Sequence, residues 1–198
     1  LPCYLEREGS SLVWMADDLI RSGGGGFFLD EYDRLLETMA ADERPKILLG
    51  VSYALLDLAD RHAPRLEGTA VLETGGMKGR RKELPKEELH AILCDAFGTE
   101  TIHSEYGMAE LTSQAYSAGN GIFRTPPWMR ITTRDFNDPF ERLSAGRRGG
   151  INIADLANLH SCAFIETQDA GIVHSDGSFS VLGRMDRTQT RGCNLMVE

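Results

Sequence analysis

The chain has 198 residues, 41% hydrophobic and 26% charged, a balance that suits one large globular domain or a substantial part of a bigger protein. Its net charge of −9 argues against a phosphate-backbone partner, so nucleic acid is not expected, and no apolar run approaches the ~20 residues of a membrane helix. Cys3, Cys94, Cys162 and Cys193 stand far apart without a C-x-x-C pair, which argues against a zinc site or a redox dithiol.

No signal peptide is visible, and a cytoplasmic location is the expectation. The chain opens on Leu1, so it is expected to begin inside a longer protein. Ser10 or Ser11 caps a predicted helix through Leu12, Met15, Ala16, Leu19 and Ile20. Gly23 to Gly26 read as a flexible turn; a phosphate-cradling loop would need a Lys-Ser/Thr pair that does not follow. Asp30 is the expected cap of a second helix carrying Leu35, Leu36 and Met39.

Lys46 to Val51 is an apolar run between Pro45 and Ser52 and predicts a buried strand, followed by a helix through Leu55, Leu56 and Ala59. Thr69 to Glu73 predicts the next strand, ending at Gly75-Gly76. Pro85 opens a helix through Leu89, Ile92, Leu93 and Phe97, with Glu87 and Glu88 in its first turn. Thr101 to Ser104 predicts a third strand. Strands separated by helices at this spacing imply an α/β fold with parallel βαβ units.

After about residue 120 the texture changes. Pro126-Pro127, Asn137-Asp138-Pro139 and Gly149-Gly150 punctuate short β-like runs, and Asp176-Gly177 sits between Ile172-Val173 and Phe179 to Leu182 as a hairpin signal. The expected organisation is an α/β layer over 1–120 and a smaller, antiparallel β-rich subdomain over 121–198. Trp14, Trp128 and Met129 read as core.

Ligands of parallel sheets bind beyond the carboxyl ends of the strands. The loops there are Gly50-Val51-Ser52, Gly75-Gly76-Met77 and Glu105-Tyr106-Gly107. Adjacent glycines admit a flat ligand or simply make a tight turn. Glu105 and Glu110 flank a glycine turn, and a carboxylate there either holds the magnesium that accompanies ATP or is merely solvated. Tyr106 either stacks on a base or caps the core. Asp169, before Gly171, reads as a turn residue, and an aspartate can also accept ribose hydroxyls. Arg184 donates to a phosphate or ribose, or pairs with Asp186. His103 is a base candidate or a packed strand-end histidine.

These residues fall in an ordered set of motifs: Tyr106-Gly107-x-x-Glu110, Thr167-x-Asp169 and Gly183-Arg184-x-Asp186. With LPCYLEREGSSLV at the start, ETGGMKGRR over 73–81 and GRMDRTQTRGCNLMV over 183–197, the chain resembles the acyl-protein synthetase family. These are the LuxE-type fatty-acid ligases, related to phenylacetate-CoA ligases within the adenylate-forming superfamily, and the closest likeness is to a branch outside the luminous bacteria. The resemblance implies activation of a fatty or other carboxylic acid with ATP and Mg2+ as an acyl-adenylate, then transfer to a thiol. On matching positions it implies that Gly75 and Gly76 line the adenine. Tyr106 and Gly107 would lie near adenine and acyl carbonyl, Glu110 would hold magnesium, and Asp169 and Arg184 would grip the ribose. It also implies that Cys193 accepts the acyl group as a thioester, where the residue type alone equally suits a small buried hydrophobe. An acyl-acceptor or reductase protein is the implied partner.

Two departures accompany the likeness. The superfamily's Ser/Thr/Gly-rich phosphate loop lies upstream of where this chain starts, and its small carboxyl-terminal domain with a catalytic lysine lies beyond where it stops. The superfamily also has a glycine where Cys193 stands, and here the glycine is Gly192. The isolated chain is therefore expected to be incomplete and inactive. Three functions compete: loading of a protein thiol, loading of coenzyme A, and a non-catalytic nucleotide- or acyl-binding scaffold.

Overall fold

In the computed structural model, which describes residues 10–185 except 78, 79 and 83, helix α1 (Ser11–Gly23) starts where the sequence offers a cap. The Ser10 hydroxyl accepts the Val13 N–H at 3.4 Å, satisfying one of the orphan donors of the first turn. The helix buries only Leu12 and Ala16. Trp14 is 75% exposed, which corrects its expected place in the core. Helix α2 (Tyr32–Ala41) is capped at Glu31, not at Asp30. The reason is a turn in which Leu29 is left-handed and the Glu31 N–H donates to the Phe28 carbonyl at 2.7 Å, moving the helix start past Asp30.

The described residues up to Glu105, with Ala118–Asn120, form one compact unit; Tyr106–Ser117 and the described residues from Gly121 onward form another. In the first unit, β1 (Lys46–Val51), β2 (Thr69–Thr74) and β3 (Ile102–Tyr106) pair in parallel with β2 in the middle, in keeping with the strands expected over 46–51, 69–73 and 101–104. Leu48 stands opposite Val71 and Glu73 opposite Ser104. Helix α3 (Ser52–His62) follows β1 without a break. Val51, extended, is itself the N-cap, so the loop expected at Gly50-Val51-Ser52 does not exist. Helix α4 (Lys86–Phe97) opens after Pro85 with Glu87 and Glu88 in its first turn, where the helix dipole favours them.

α3 turns Leu55, Leu58 and Ala59 onto the sheet, and α4 turns Leu89, Leu93 and Phe97. Val51, Val71, Leu93 and Phe97 are fully buried there. Removing a ring as enclosed as Phe97 costs about 3–5 kcal/mol, a large share of the stability of a domain this size.

The second unit holds β4 (Ala115–Ser117), β5 (Ile122–Arg124), β6 (Met129–Arg134), β7 (Arg148–Asp155), β8 (Phe164–Val173) and β9 (Phe179–Arg184). Their order is β4-β5-β9-β8-β7-β6 with antiparallel pairing between β4 and β5 and from β5 through to β6. Alternate residues supply its core: Phe123, Ile131, Ile151, Ile153 and Phe179. β8 and β9 form the hairpin that Asp176-Gly177 predicts, with Gly177 at φ +81°. Met129 is buried, but Trp128 is 52% exposed, a second correction to the expected core. Its indole N–H donates to Ser113 Oγ at 2.8 Å, so the ring is held by its polar edge at the surface. Among the described residues no helix is long and apolar enough to cross a membrane.

Candidate functional site

Tyr106 is the first residue of the second unit. Its ring meets Phe123 and Phe179 edge-on, with centroids 6.0 and 5.6 Å away, and packs as a cap on that unit's core. Its hydroxyl donates to Asp169 Oδ2 at 2.8 Å. Burial pushes the Tyr106 hydroxyl well above the usual phenol range, and the neighbouring Asp169 charge pushes it further, so it stays protonated and donating.

Asp169 lies inside β8, not in a turn, which corrects the expectation drawn from Asp169-Ala170-Gly171. The glycine serves a bulge between Ala170 and Gly171. A Cβ at Gly171 would sit 2.6 Å from both Ile151 Cδ1 and the Ser180 carbonyl oxygen. Asp169 faces Arg184 across the β8–β9 ladder, with Arg184 Nε 3.5 Å from Asp169 Oδ1. Asp186, the other expected partner of Arg184, lies outside the described residues.

Thr167 supports this aspartate. Its hydroxyl accepts the Asp169 N–H at 3.1 Å and donates to the Ile151 carbonyl at 2.9 Å, while Arg134 donates to the Thr167 carbonyl at 2.8 Å. The T-x-D spacing thus places a buried hydroxyl under the backbone of a carboxylate. The Asp169 side chain remains 15% exposed and Arg184 78% exposed. A carboxylate with one short donor keeps lone pairs for a diol, and an exposed guanidinium suits a phosphate.

In the first unit, Gly75 at φ +71° turns the chain at the carboxyl end of the middle strand. A Cβ at Gly76 would meet nothing within 4 Å, so one face of this backbone is open. Below it lies a group that the motif reading passed over, Glu73, with 1% of its surface exposed. Its carboxylate accepts Ser52 Oγ at 2.5 Å, Lys86 Nζ at 2.9 Å and Ser104 Oγ at 3.1 Å. His90 Nε2 is 3.3 Å from Ser104 Oγ. Burial raises the Glu73 carboxyl, but the His90, Lys86 and Ser52 partners overcome it and hold it at about 2. Glu105, bonded by the Thr74 hydroxyl, is pushed the other way, above the usual carboxylate range, chiefly by burial. The spacing of Lys86 and His90, one helical turn apart and facing a glutamate at a strand end, was the signal available in the sequence.

Gly107 follows β3 and is half-buried. Glu110 sits exposed in the turn after it, and its backbone carbonyl accepts Asn158 Nδ2. Among the described residues no three His, Cys, Asp or Glu side chains converge to hold a metal. Gly75 and Gly76 belong to the first unit, and Tyr106, Gly107, Glu110, Asp169 and Arg184 to the second. His103 is half-buried in β3. Cys193 lies outside the described residues. A cleft of about 520 Å³ in the second unit, lined in part by Thr112, Ser113, Tyr116, Arg124 and Trp128, contains none of the motif residues.

No family model matches the sequence, and no curated protein matches it. Solved structures do match. One is MatB from Rhodopseudomonas palustris with ATP bound, at TM-score 0.65 and 16% identity, covering 87% of this chain and 37% of that one. Another is the O-succinylbenzoate Coenzyme A Synthetase MenE from Bacillus subtilis in complex with ATP and magnesium, at TM-score 0.56 and 19% identity, covering 77% of this chain and 34% of that one. A third is the luciferase-like enzyme from the nonluminescent mealworm Zophobas morio, at TM-score 0.56 and 16% identity, covering 78% and 41%. The chain thus spans 34% to 41% of the length of these structures. At such identities the likeness is one of fold: the chain shares the fold of part of each of these three proteins.

Proposed function

We propose that the chain is the nucleotide-gripping part of an ATP-dependent ligase of the acyl-protein synthetase kind. In this reading a carboxylate oxygen of a fatty or other carboxylic acid attacks the α-phosphorus of ATP and pyrophosphate leaves. A thiolate sulfur then attacks the acyl carbonyl, and AMP leaves as the thioester forms. The observation that carries the reading is the meeting of Tyr106, Asp169 and Arg184, in a fold shared with ATP-bound enzymes.

The roles follow from donor and acceptor chemistry. Asp169, fixed by the Thr167 hydroxyl and the Tyr106 phenol, accepts ribose hydroxyls. Arg184 donates to the ribose or a phosphate. Gly75, Gly76 and Gly107 bring bare backbone against the base and the acyl carbonyl. Glu110 is the proposed holder of magnesium, which when bound neutralises phosphate charge.

Cys193 is the proposed acyl acceptor. Arg191 beside it favours the thiolate, and Gly192 gives the backbone room. A cytoplasmic location and an acyl-accepting or reductase partner go with this reading. A second acceptor, coenzyme A, is favoured by one observation: a structural neighbour is itself a coenzyme A synthetase. ATP–pyrophosphate exchange dependent on an added fatty acid, measured on the full-length protein, tests the adenylation. Cys193→Ser tests the acceptor: it should keep exchange and lose hydroxylamine-labile acyl label. Label that persists, or maps to Cys94 or Cys162, moves coenzyme A ahead.

A further inference from the structure

Gly75 and Gly76 follow β2, and described residues on either side of them are tied to neighbouring elements. Glu73, two residues before Gly75, is buried and takes donors from three elements: Ser52 at the start of α3, Ser104 in β3, and Lys86 at the start of α4. The Lys86–Glu73 bond, 2.9 Å long and charge-assisted, closes the loop at its base. Farther out, Met77 is 2% exposed. The Arg80 guanidinium lies 5.1 Å from the centre of the Tyr53 ring, and Arg81 pairs with Asp57 and with Asp60 at 2.8 Å. Both arginines hold the loop against α3. Between these ties Gly75 is exposed, and a Cβ at Gly76 would meet nothing within 4 Å among the described residues.

An ion pair with one partner buried, as Glu73 is here and Lys86 is not, is a poor device for stability, because desolvation of the carboxylate offsets much of the attraction. Hydrophobic residues would fill the same space as well. What the pair supplies is a unique arrangement: one carboxylate on β2 fixes the first residues of α3 and α4 and the middle of β3. We propose that Glu73, through Lys86, is a positioning residue that sets the Gly75–Gly76 backbone for nucleotide binding. This inference rests on the reading of those glycines as part of the nucleotide pocket. Loss of the charge at Glu73 frees the loop base, misplaces the glycine backbone and weakens nucleotide binding, while the sheet and helices beneath remain.

The test uses AMP and ATP as probes in calorimetric titrations of the full-length protein, with thermal unfolding measured in parallel. The variants are Glu73→Gln, Lys86→Arg, the neutral pair Glu73→Gln/Lys86→Met, and Asp169→Ala as a reference for the pocket. Glu73→Gln keeps one acceptor oxygen, for Ser52 or for Ser104, and loses the charge; its dissociation constant for AMP should rise about tenfold, the worth of one well-placed backbone hydrogen bond. Lys86→Arg, which keeps the pair, should bind as the wild type does. The neutral pair should regain most of the wild-type unfolding temperature without regaining affinity, a separation that a purely structural role would not produce.

If the neutral pair binds AMP as tightly as the wild type, the inference is overturned. If it fails to fold, the pair is a folding requirement and the inference is overturned as well. Unchanged affinity in the Glu73 variants beside a loss in Asp169→Ala would sink this inference and leave the nucleotide reading standing. Equal binding by wild type and Asp169→Ala, or none by either, would remove the nucleotide reading and this inference with it.

Discussion

Tyr106 and Asp169 are joined by a single hydrogen bond of 2.8 Å between a phenol capping the β-rich core and a carboxylate on β8. Tyr106→Phe keeps the ring contacts with Phe123 and Phe179 and removes only the donor. It should cost about 1–2 kcal/mol, because Asp169 is left partly buried without its short partner. Urea denaturation should show a lower midpoint at unchanged slope. No shift of the midpoint would mean that water replaces the phenol without loss.

Glu73 should govern part of the acid sensitivity. Its carboxyl is held at about 2 in the fold against an ordinary 4.5, so the folded state binds fewer protons than the unfolded one between those values. The contribution is fully present above about pH 4.5 and is lost as pH falls toward about 2. Its size is on the order of 3 kcal/mol. Stability measured by denaturant titration across that window should fall less steeply in Glu73→Gln than in the wild type. Parallel curves would contradict the assignment.

Arg134 reaches from β6 across β7 to β8. It donates to the Ile151 carbonyl at 2.9 Å, to Asn152 Oδ1 at 2.6 Å and to the Thr167 carbonyl at 2.8 Å. A lysine cannot span the two carbonyls as the planar guanidinium fork does. Arg134→Lys should therefore destabilise by about 2–4 kcal/mol, since buried acceptors lose their donors. Thermal unfolding close to that of the wild type would show that the strands close up around the smaller cation.

Helix α3 ends on Ala63, a non-glycine residue at φ +39° whose N–H closes the last turn onto the Ala59 carbonyl at 3.0 Å. A Cβ is unfavourable in that conformation. Ala63→Gly should raise stability by up to about 1 kcal/mol, with the greater chain entropy of the unfolded state offsetting part of the relief. A fall in the unfolding midpoint would show that the left-handed cap carries no strain.

β1 was legible as an apolar run, β2 and β3 as short β-prone stretches between helices, and Pro45, Ser52 and Gly75 mark strand ends. The β8–β9 hairpin was legible in Asp176-Gly177, whose glycine has the positive φ its turn requires. Apolar character alone did not reveal which way a ring faces: Trp14 and Trp128 are exposed, the second because its N–H is tied to Ser113. Asp169 read as a turn because glycine near aspartate signals one. Gly171 is instead needed where β8 passes within contact of Ile151 and the Ser180 carbonyl, a crowding set by tertiary pairing. The motif residues 106, 169 and 184 were legible as a set. Glu73 was not: its donors arrive from Ser52, Ser104 and Lys86, up to 31 residues away, and the Lys86 and His90 spacing is the one local sign of them.

The most direct test of the central claim is calorimetric binding of AMP and ATP to the full-length protein and to its Asp169→Ala variant. Loss of a carboxylate that accepts ribose hydroxyls should cost about 1–3 kcal/mol, which weakens binding roughly 5- to 150-fold. Thermal unfolding of the variant, measured alongside, separates lost affinity from lost fold. A dissociation constant unchanged in a folded Asp169→Ala protein would contradict the nucleotide-gripping role of this carboxylate and the function built on it.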